Sequence, residues 1–548
     1  MTISIMSSIR SSISSADRRA ASSDRYPVAG VSQRQYLAWL ATVTAIGLAA
    51  RLFYFRLTIG SDDQRWVLSA RQLFADRVPD LGTEYYARIV WRFVLRLWGL
   101  PFGVSLESSA VLMCLLYLIA IFAVAYVARV AFGREAAVVA AAVVATHPLN
   151  LLWDTTTLPD GLGVAMLVVG LALYVTYLQS DRLGALAGAG LLIGLTISVK
   201  EYFVLLALPC LAVLILMRRA GRQTSWKPIV TFVLALVLAV GIDFTLDAID
   251  AHPFAHWRAQ ASYGDRILAY YTTPSPNATG IRLAAALAEE RSFYVQKLFF
   301  DQVGTGLLML WGLLVLATRI RSNPVALIVI ATTGVLLAFL SLMPAKLHPL
   351  IFTVMQDRYL TVVLPFTAIA AGVGVATILR SLTDAAERRA LLIIVAVVCV
   401  VNLVVPNSSW DVGRTVEFAG IRQTLVTARG RGITELILPT AYWRLTPDRY
   451  YTYGARPTFM AFSEPDNVRD YLRKDRGRAL FLPRYGYADW RPPGFDESRQ
   501  PSRLAQVLST GQFDVEEVAA SSTPLRAWLA RIGFETRGHL VGWLYRAK

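Results

Sequence analysis

Two adjacent acids, Asp62 and Asp63, stand a few residues after the first long apolar segment of the chain. Neighbouring carboxylates can raise one another's pKa, bind a divalent cation or accept a proton from a hydroxyl group. The structural alternative is a pair of solvated acids at the start of an interfacial helix, because Ser and Asp are good N-cap residues. Position alone leaves both interpretations open.

Further charged residues lie at the boundaries of later apolar segments. Glu84 is in the next polar segment, Asp160 begins the fourth apolar segment, Lys200 follows the fifth and Arg358 precedes the tenth. A lysine or an arginine at such a boundary can bind a phosphate, and the guanidinium fork of arginine matches phosphate oxygens. The alternatives are a snorkelling lysine and an interfacial anchor, with Tyr359 in an aromatic belt.

The segments between these residues are more apolar than those of a soluble domain. The chain has 548 residues, of which 55% are hydrophobic and 17% are charged, and its mean hydropathy is +0.48. A bilayer core requires about 20 apolar residues per helical span, and such windows predict about eleven transmembrane helices. These are predicted at residues 36–55, 108–130, 136–153, 158–178, 183–199, 202–217, 228–246, 302–317, 324–343, 359–379 and 391–405.

Basic residues cluster in particular loops and indicate one orientation of the chain. If the N-terminus is cytoplasmic, the loops around Arg134, Arg219 and Arg388 all fall on the cytoplasmic side, as the positive-inside rule requires. The net charge of +16 is therefore interpreted as a topology signal rather than as a sign of nucleic-acid binding. The outer face then receives two large loops, residues 56–107 and 247–301.

The sequence divides into three predicted parts. Residues 1–35 are rich in Ser and Arg and lack the apolar core of a secretory signal, which predicts a disordered cytoplasmic tail. Residues 36–406 form the transmembrane domain, with interfacial amphipathic helices in its first outer loop. Residues 407–548 alternate β-like runs, at 435–438 and 479–482, with helix-like runs, at 467–474, 503–508 and 524–532. The predicted fold class is a polytopic α-helical membrane protein with a small C-terminal extracytoplasmic α/β domain.

Taken in order, these features resemble the GT-C class of membrane glycosyltransferases. Asp62-Asp63-Gln64-Arg65-Trp66 is similar to the Asp-Glu-x-Arg-Tyr segment of the aminoarabinose transferases and protein O-mannosyltransferase relatives. Glu84 is similar to their second acidic motif, although Tyr85 and Tyr86 replace its Lys-Pro. Each motif is short and permissive, so their order over residues 36–380 carries more weight than any one of them.

Three later motifs follow the same family order. Thr157-Leu158-Pro159-Asp160 resembles an outer acidic position, and the run 190–200 resembles a glycine-rich span that ends in Thr-Lys. Gln356-Asp357-Arg358-Tyr359-Leu360, with Pro365 beyond it, resembles the Arg-Tyr-Leu and Pro pattern that opens a late span.

The resemblance implies a glycosyltransferase of the bacterial cytoplasmic membrane. Its donor would be a polyprenyl-phosphate sugar, used at the outer face among the membrane lipids, and its acceptor an envelope glycan, lipid or protein. The implied catalytic base is Asp62 or Asp63. The residues implied in donor-phosphate binding are Arg65, Lys200, Arg358 and Tyr359. Glu84 and Asp160 are acidic candidates for a divalent metal ion, but the related families divide on metal dependence, which leaves this cofactor open.

A transporter or flippase of lipid-linked sugars is the competing class, because it also needs many spans and a few charges at membrane depth. Such proteins usually place charges at mid-membrane on broken helices related by a repeat. This chain instead concentrates its polar residues at one face and has no internal repeat, which favours the transferase. A ligase that transfers whole glycans is a second alternative, distinguished by its donor.

Overall fold

The computed structural model describes a helical bundle followed by a small sheet. The described residues are 31–53, 62–73, 88–221, 225–250, 293–342, 344–346, 351–352, 357–404, 429–439, 456–460, 465–483, 511–520 and 539–548, with single positions 254, 258, 262, 265, 424 and 508. Residues 1–30 of the predicted tail 1–35, Glu84 and most of the second predicted outer loop lie outside them, whereas the first helix already begins at Gln33, inside that tail. For residues 62–65 the description covers the backbone and not the side chains.

The first part of the bundle contains ten helices among the residues described up to Ile249. They are α1 (Gln33–Phe53), α2 (Asp62–Arg71), α3 (Ile89–Phe102), α4 (Leu106–Phe132), α5 (Arg134–Thr146), α6 (Pro148–Trp153), α7 (Pro159–Ser180), α8 (Leu183–Leu195), α9 (Ala207–Arg219) and α10 (Lys227–Ile249). Two 3₁₀ turns, Thr196–Ser198 and Glu201–Leu206, join α8 to α9. Proline in the first turn of α6, α7 and α10 suits their starts, where a backbone N–H would have no helical partner.

The second part of the bundle begins with a short helix, Phe293–Phe300, which is bent by 103° from the helix that follows it. The later helices are α11 (Val303–Arg319), α12 (Pro324–Leu342), α13 (Leu364–Ser381) and α14 (Ala385–Val404). Between α12 and α13 lie the antiparallel strands β1 (Pro344–Lys346) and β2 (Ile351–Phe352) and the 3₁₀ turn Asp357–Val362.

Each of the eleven apolar segments predicted from the sequence overlaps a helix of this bundle. Six helices of the described chain are long and apolar enough to cross a membrane, or seven if the bent pair is one span. The six are Ser108–Phe132, Pro159–Ser180, Glu201–Arg219, Lys227–Ile249, Pro324–Leu342 and Leu364–Ser381. The multi-pass helical class is thus supported, whereas the count of about eleven spans stays a prediction.

Two expected elements differ in detail. The predicted span 136–153 is broken into α5 and α6 at His147, whose φ and ψ are −62° and 129°, because the residue before a proline is disfavoured in the α region. The predicted interfacial helices of the first loop are α2 and α3, but Trp66 and Trp91 are buried against the bundle. These helices therefore pack on the bundle as well as presenting apolar residues such as Leu100 at the surface.

Basic residues hold several helices together at one end of the bundle. Arg134 Nη1 donates to the carbonyl of Val31 over 2.8 Å, and Arg380 Nη2 donates to the carbonyl of Phe132 over 2.6 Å. Arg319 Nη2 donates to Thr377 over 3.0 Å. This basic end joins loops that the positive-inside pattern assigns to one side.

Glycine allows the helices in the middle of the bundle to approach closely. A Cβ atom at Gly312 on α11 would lie 1.8 Å from the carbonyl oxygen of Ala370 on α13, and one at Gly372 would lie 2.2 Å from that of Ala136 on α5. Small residues at such crossings are typical of helix packing in membranes. The central position of α13 therefore requires residues without a side chain at position 312 of α11 and position 372 of α13.

Gly312→Ala is expected to lower the thermal unfolding temperature in detergent, because overpacking a close contact costs about 1–3 kcal/mol. Gly334→Ala on α12 is the matched control, since no atom lies within 4 Å of the Cβ it would add. The control should unfold at or slightly above the wild-type temperature. Equal unfolding temperatures for the two variants would contradict this packing.

The C-terminal region contains a five-stranded mixed sheet. Its strands are β3 (Glu435–Pro439), β4 (Arg456–Met460), β5 (Arg478–Pro483), β6 (Phe513–Ala520) and β7 (His539–Ala547), in the order β4-β3-β5-β7-β6. Strands β4, β3 and β5 are parallel, and β7 is antiparallel to β5 and β6. The helix α15 (Pro465–Arg473) packs Val468 and Leu472 against it. The predicted β-like runs at 435 and 479 and the helix-like run at 467 are thus present, whereas the helix expected at 524–532 lies outside the described residues.

Candidate functional site

A buried ion pair joins the start of α7 to the turn between α8 and α9. Lys200 Nζ lies 2.5 Å from Asp160 Oδ1, and the two residues are only 8% and 5% exposed. Asp160 follows Pro159 in the first helical turn, where a carboxylate is favoured by the helix dipole. Lys200 lies between the two 3₁₀ turns. Two of the residues predicted from separate motifs therefore contact each other.

The turn that precedes α13 completes this group. The Lys200 ammonium lies 4.2 Å from the ring centroid of Tyr359, and the Arg358 guanidinium carbon lies 5.4 Å from the same centroid. Tyr202 packs edge-on to Tyr359 with ring centroids 6.1 Å apart. Cations placed near aromatic faces are attracted by the ring quadrupole. We call Asp160, Lys200, Arg358 and Tyr359 the cationic site, since it contains two cations and one acid.

Burial controls the ionisation of Lys200, which lies between two apolar segments and not within them. Desolvation lowers the pKa of its ammonium group below the ordinary lysine value, and Arg358 acts in the same direction. Asp160 and Tyr359 oppose this shift. The balance means that the charge of Lys200 depends on its anionic neighbours, and a further anion would favour the charged form.

An apolar cleft opens beside the cationic site. Asp160 and Arg358 line it together with Asp154. The remainder of its wall consists mainly of residues of α4, α6 and α7, namely Met113, Leu116, Tyr117, Ala120, Val144, Asn150, Trp153, Leu158, Gly161, Val164, Thr361 and Pro365. Oδ2 of Asp160 has no hydrogen-bond partner within the described part of the chain. The cleft is thus a small and mostly apolar space, about 20 Å³ in volume, with charged groups on its wall.

A second ion pair, between a buried arginine and a partly buried aspartate, borders this cleft and was not predicted from the sequence. Arg51, which is 0% exposed, donates from Nη2 to Asp154 Oδ2 over 2.6 Å and from Nη1 to the carbonyl of Ala145 over 2.8 Å. Its guanidinium carbon lies 3.0 Å from the ring centroid of Tyr117. The available signal was an arginine inside the first apolar segment, because charges at membrane depth are rare unless they are paired.

The acidic helix α2 lies against the same part of the bundle. It begins at Asp62, and its Trp66 and Ala70 share an apolar cluster with Leu158 and Val199. Leu158 and Val199 are close in sequence to Asp160 and Lys200. The chain therefore packs the helix that carries the predicted catalytic acids against the segments of the cationic site, although the side chains of residues 62–65 are outside the description.

The described residues do not provide a metal centre. They contain no group of three or more His, Cys, Asp or Glu side chains that could hold a metal ion. Asp160, predicted as a possible metal ligand, instead uses Oδ1 for Lys200. The other acidic candidate, Glu84, is outside the described residues, so the divalent ion stays a prediction.

Replacing Lys200 by Met is expected to destabilise the protein by about 3 kcal/mol, because it leaves a buried carboxylate without its partner. The double variant Lys200→Met with Asp160→Leu should recover most of that loss, since an apolar pair of similar volume carries no unpaired charge. Thermal unfolding of the three proteins in one detergent measures both effects. A double variant no more stable than the single one would contradict the pairing.

Part of the chain matches a known protein family. Residues 89–242 match the family model described as dolichyl-phosphate-mannose-protein mannosyltransferase. This range runs from α3 into α10 and contains both Asp160 and Lys200. The resemblance to protein O-mannosyltransferase relatives, which was predicted from short motifs, is thereby confirmed. No curated protein matches the chain in sequence.

Several solved structures are similar to the chain at low sequence identity. The apo oligosaccharyltransferase of Archaeoglobus fulgidus matches with a TM-score of 0.47 and 12% identity over 82% of this chain and 70% of that chain. The same organism's AglB, in complex with an inhibitory peptide and a dolichol-phosphate, matches with 0.45 and 12% over 77% and 64%. Arabinosyltransferase EmbB from Mycobacterium smegmatis matches with 0.40 and 16% over 65% and 32%. At TM-scores below 0.5, these similarities assign neither a fold family nor a substrate to this chain.

Proposed function

We propose that this membrane protein of the glycosyltransferase class transfers a sugar from a polyprenyl-phosphate donor to an envelope acceptor at the outer face of the bacterial cytoplasmic membrane. The observation that carries the proposal is the cationic site beside an apolar cleft. Because such a donor combines an anionic phosphate with a long hydrocarbon chain, its binding requires cations and an apolar surface in one place. Among the described residues, Asp160 and Arg358 belong both to the cationic site and to the wall of the cleft.

The cleft supports a lipid-linked donor over a water-soluble one. Met113, Leu116 and Ala120 of α4 line it, while Leu115 and Ile119 are exposed on the other side of the same helix. In a membrane those exposed side chains would face lipid. The cleft has a cavity volume of about 20 Å³ in this structure, so it would have to widen for a polyprenyl chain to lie in it while the donor phosphate contacts Arg358 and Lys200.

The cations have a chemical role in this proposal. The acceptor oxygen forms a new bond to the anomeric carbon of the sugar, and the bond from that carbon to the lipid phosphate oxygen breaks. Negative charge then develops on the departing phosphate, and Arg358 and Lys200 would stabilise it. Arg65 and Tyr359 complete the proposed phosphate-binding set.

Asp62 or Asp63 would act as the general base, taking the proton of the acceptor hydroxyl as the new bond forms. The position of α2 supports this role, because its Trp66 packs in the cluster that also contains Leu158 and Val199. Glu84 stays a proposed acidic residue, and no step requires a metal ion.

Topology and domains are part of the same proposal. The basic end formed by Arg134, Arg319 and Arg380 would face the cytoplasm, together with the tail 1–35. The transmembrane domain would extend over residues 36–406, and residues 407–548 would lie outside with the cationic site. The description of the matched family names mannose and a protein acceptor, which makes a hexose and a protein the first donor sugar and acceptor to test. The match gives no support to a transporter or flippase.

Purified protein in liposomes is expected to transfer radiolabelled sugar from polyprenyl-phosphate donors to an acceptor mixture. Asp62→Asn or Asp63→Asn should lower the rate by about 10²–10⁴-fold, since a general base contributes on that scale. Asp181→Asn is the matched control. Asp181 is the C-cap of α7, at the opposite end of that helix from Asp160, and its left-handed backbone conformation tolerates Asn well.

Two results would contradict the proposal. Donor that crosses the bilayer without any transfer would assign the protein to the flippase class. Wild-type transfer rates in both Asn variants would show that another residue is the base.

A further inference from the structure

Two arginines one turn apart, Arg88 at the N-cap of α3 and Arg92 within α3, have side chains that reach different parts of the site. Arg88 pairs with Glu201, the residue that follows Lys200. Arg92 pairs with Asp250 at the end of α10, with Nη1 lying 2.5 Å from Oδ2. The same guanidinium donates from Nε and Nη2 to the backbone carbonyl of Ser69 over 3.3 and 3.2 Å.

Ser69 lies in the last turn of α2, the helix that begins at Asp62. A cation at the carboxyl end of a helix is favoured by the helix dipole, and the fork of Arg92 fixes the direction of the contact as well as its charge. Arg71 in the same turn donates from Nε to the carbonyl of Val104, just beyond α3, over 2.8 Å. Helix α2 is therefore attached to α3 by directed hydrogen bonds in addition to apolar packing.

We propose that Arg92, held by Asp250, is a positioning residue that fixes α2 and its acids relative to the cationic site. This inference rests on the proposed function, since it assigns Arg92 the task of setting the distance between the base and the donor phosphate. Through Arg88 and Glu201, α3 also contacts the turn that carries Lys200. One helix thus connects the two halves of the proposed reaction.

A purely structural role is the alternative, because Arg92 is 1% exposed and buried beside Trp91 and Leu95. Burial of an ion pair is weak evidence for stability, since desolvation offsets much of the attraction between the charges. The two roles differ in what they change. Loss of a positioning contact lowers the rate of the chemical step. Loss of a structural contact instead lowers the folding stability, and it weakens donor binding as much as it slows the reaction.

Arg92→Lys separates these effects, because an ammonium group can still pair with Asp250 but cannot form the fork to the Ser69 carbonyl. We expect kcat for sugar transfer to fall on the order of 10-fold to 100-fold, because small misplacements of reacting groups reduce the rate on that scale. KM for the polyprenyl-phosphate donor should stay unchanged, because Lys200 and Arg358 are retained. Amide hydrogen exchange over residues 66–73 should accelerate in the absence of any substrate.

Arg380→Lys is the matched control. Arg380 also contacts a backbone carbonyl, that of Phe132 over 2.6 Å, and a carboxylate, that of Glu135 over 3.5 Å, but at the basic end of the bundle. Its replacement should leave kcat and the exchange of residues 66–73 unchanged. If Arg92→Lys does not fold, Asp250→Asn tests the other half of the proposal, because it removes the charge that holds Arg92 in place; kcat should fall with KM unchanged, and exchange of residues 66–73 should accelerate.

Failure of the positioning role can be distinguished from failure of the proposed function. A wild-type protein that transfers no sugar refutes the proposed function, while the exchange measurement still tests the attachment of α2. Transfer by the wild type, with kcat and exchange unaltered in Arg92→Lys, overturns the positioning role. A raised KM with unchanged kcat overturns it as well, since the residue would then serve donor binding.

Discussion

The contact between Lys200 and Asp160 is the interaction on which the rest of the site depends. Both side chains are buried, and removing such ions from water costs several kcal/mol each, which their mutual attraction must offset. Arg358 brings a second cation to this pair beside Tyr359. A phosphate would give Lys200 and Arg358 a shared anionic partner. An anion bound there would thus improve the electrostatics of the site, as the proposed phosphate-linked donor requires.

Three segments far apart in sequence must meet for this contact to form. The start of α7, the turn after α8 and the turn before α13 come together because the helices behind them pack closely. Gly312 and Gly372 permit the approach of α11, α13 and α5, and the arginines of α3 connect α2 and α10 to the same region. The Arg51–Asp154 pair adds a further charged group on the wall of the cleft. The helical packing thus places charged residues at one end of an otherwise apolar bundle.

Much of this arrangement could be predicted from helix boundaries. Asp160, Lys200 and Arg358 stand next to apolar segments, and the positive-inside pattern places those boundaries on one side. Their pairing could not be predicted, because residues 160 and 200 meet only through the packing of α7 and α8 and the 3₁₀ turn after it. Arg51 was missed because it lies inside an apolar run, and its partner Asp154 follows a break at Pro148 that the hydropathy window does not detect. Glu84 and the side chains of Asp62, Asp63 and Arg65 are outside the described residues, so their roles stay predictions.

A cryo-EM structure of the protein in nanodiscs with a polyprenyl phosphate would show whether the cationic site binds the donor phosphate. We expect phosphate density within about 3 Å of both the Lys200 ammonium and the Arg358 guanidinium, the range of charge-assisted hydrogen bonds. The cleft beside Met113 and Leu116 should be wider than in the present structure and should contain density for the hydrocarbon chain. Phosphate bound elsewhere, with the Lys200–Asp160 pair unchanged and the cleft still closed, would contradict this role of the cationic site.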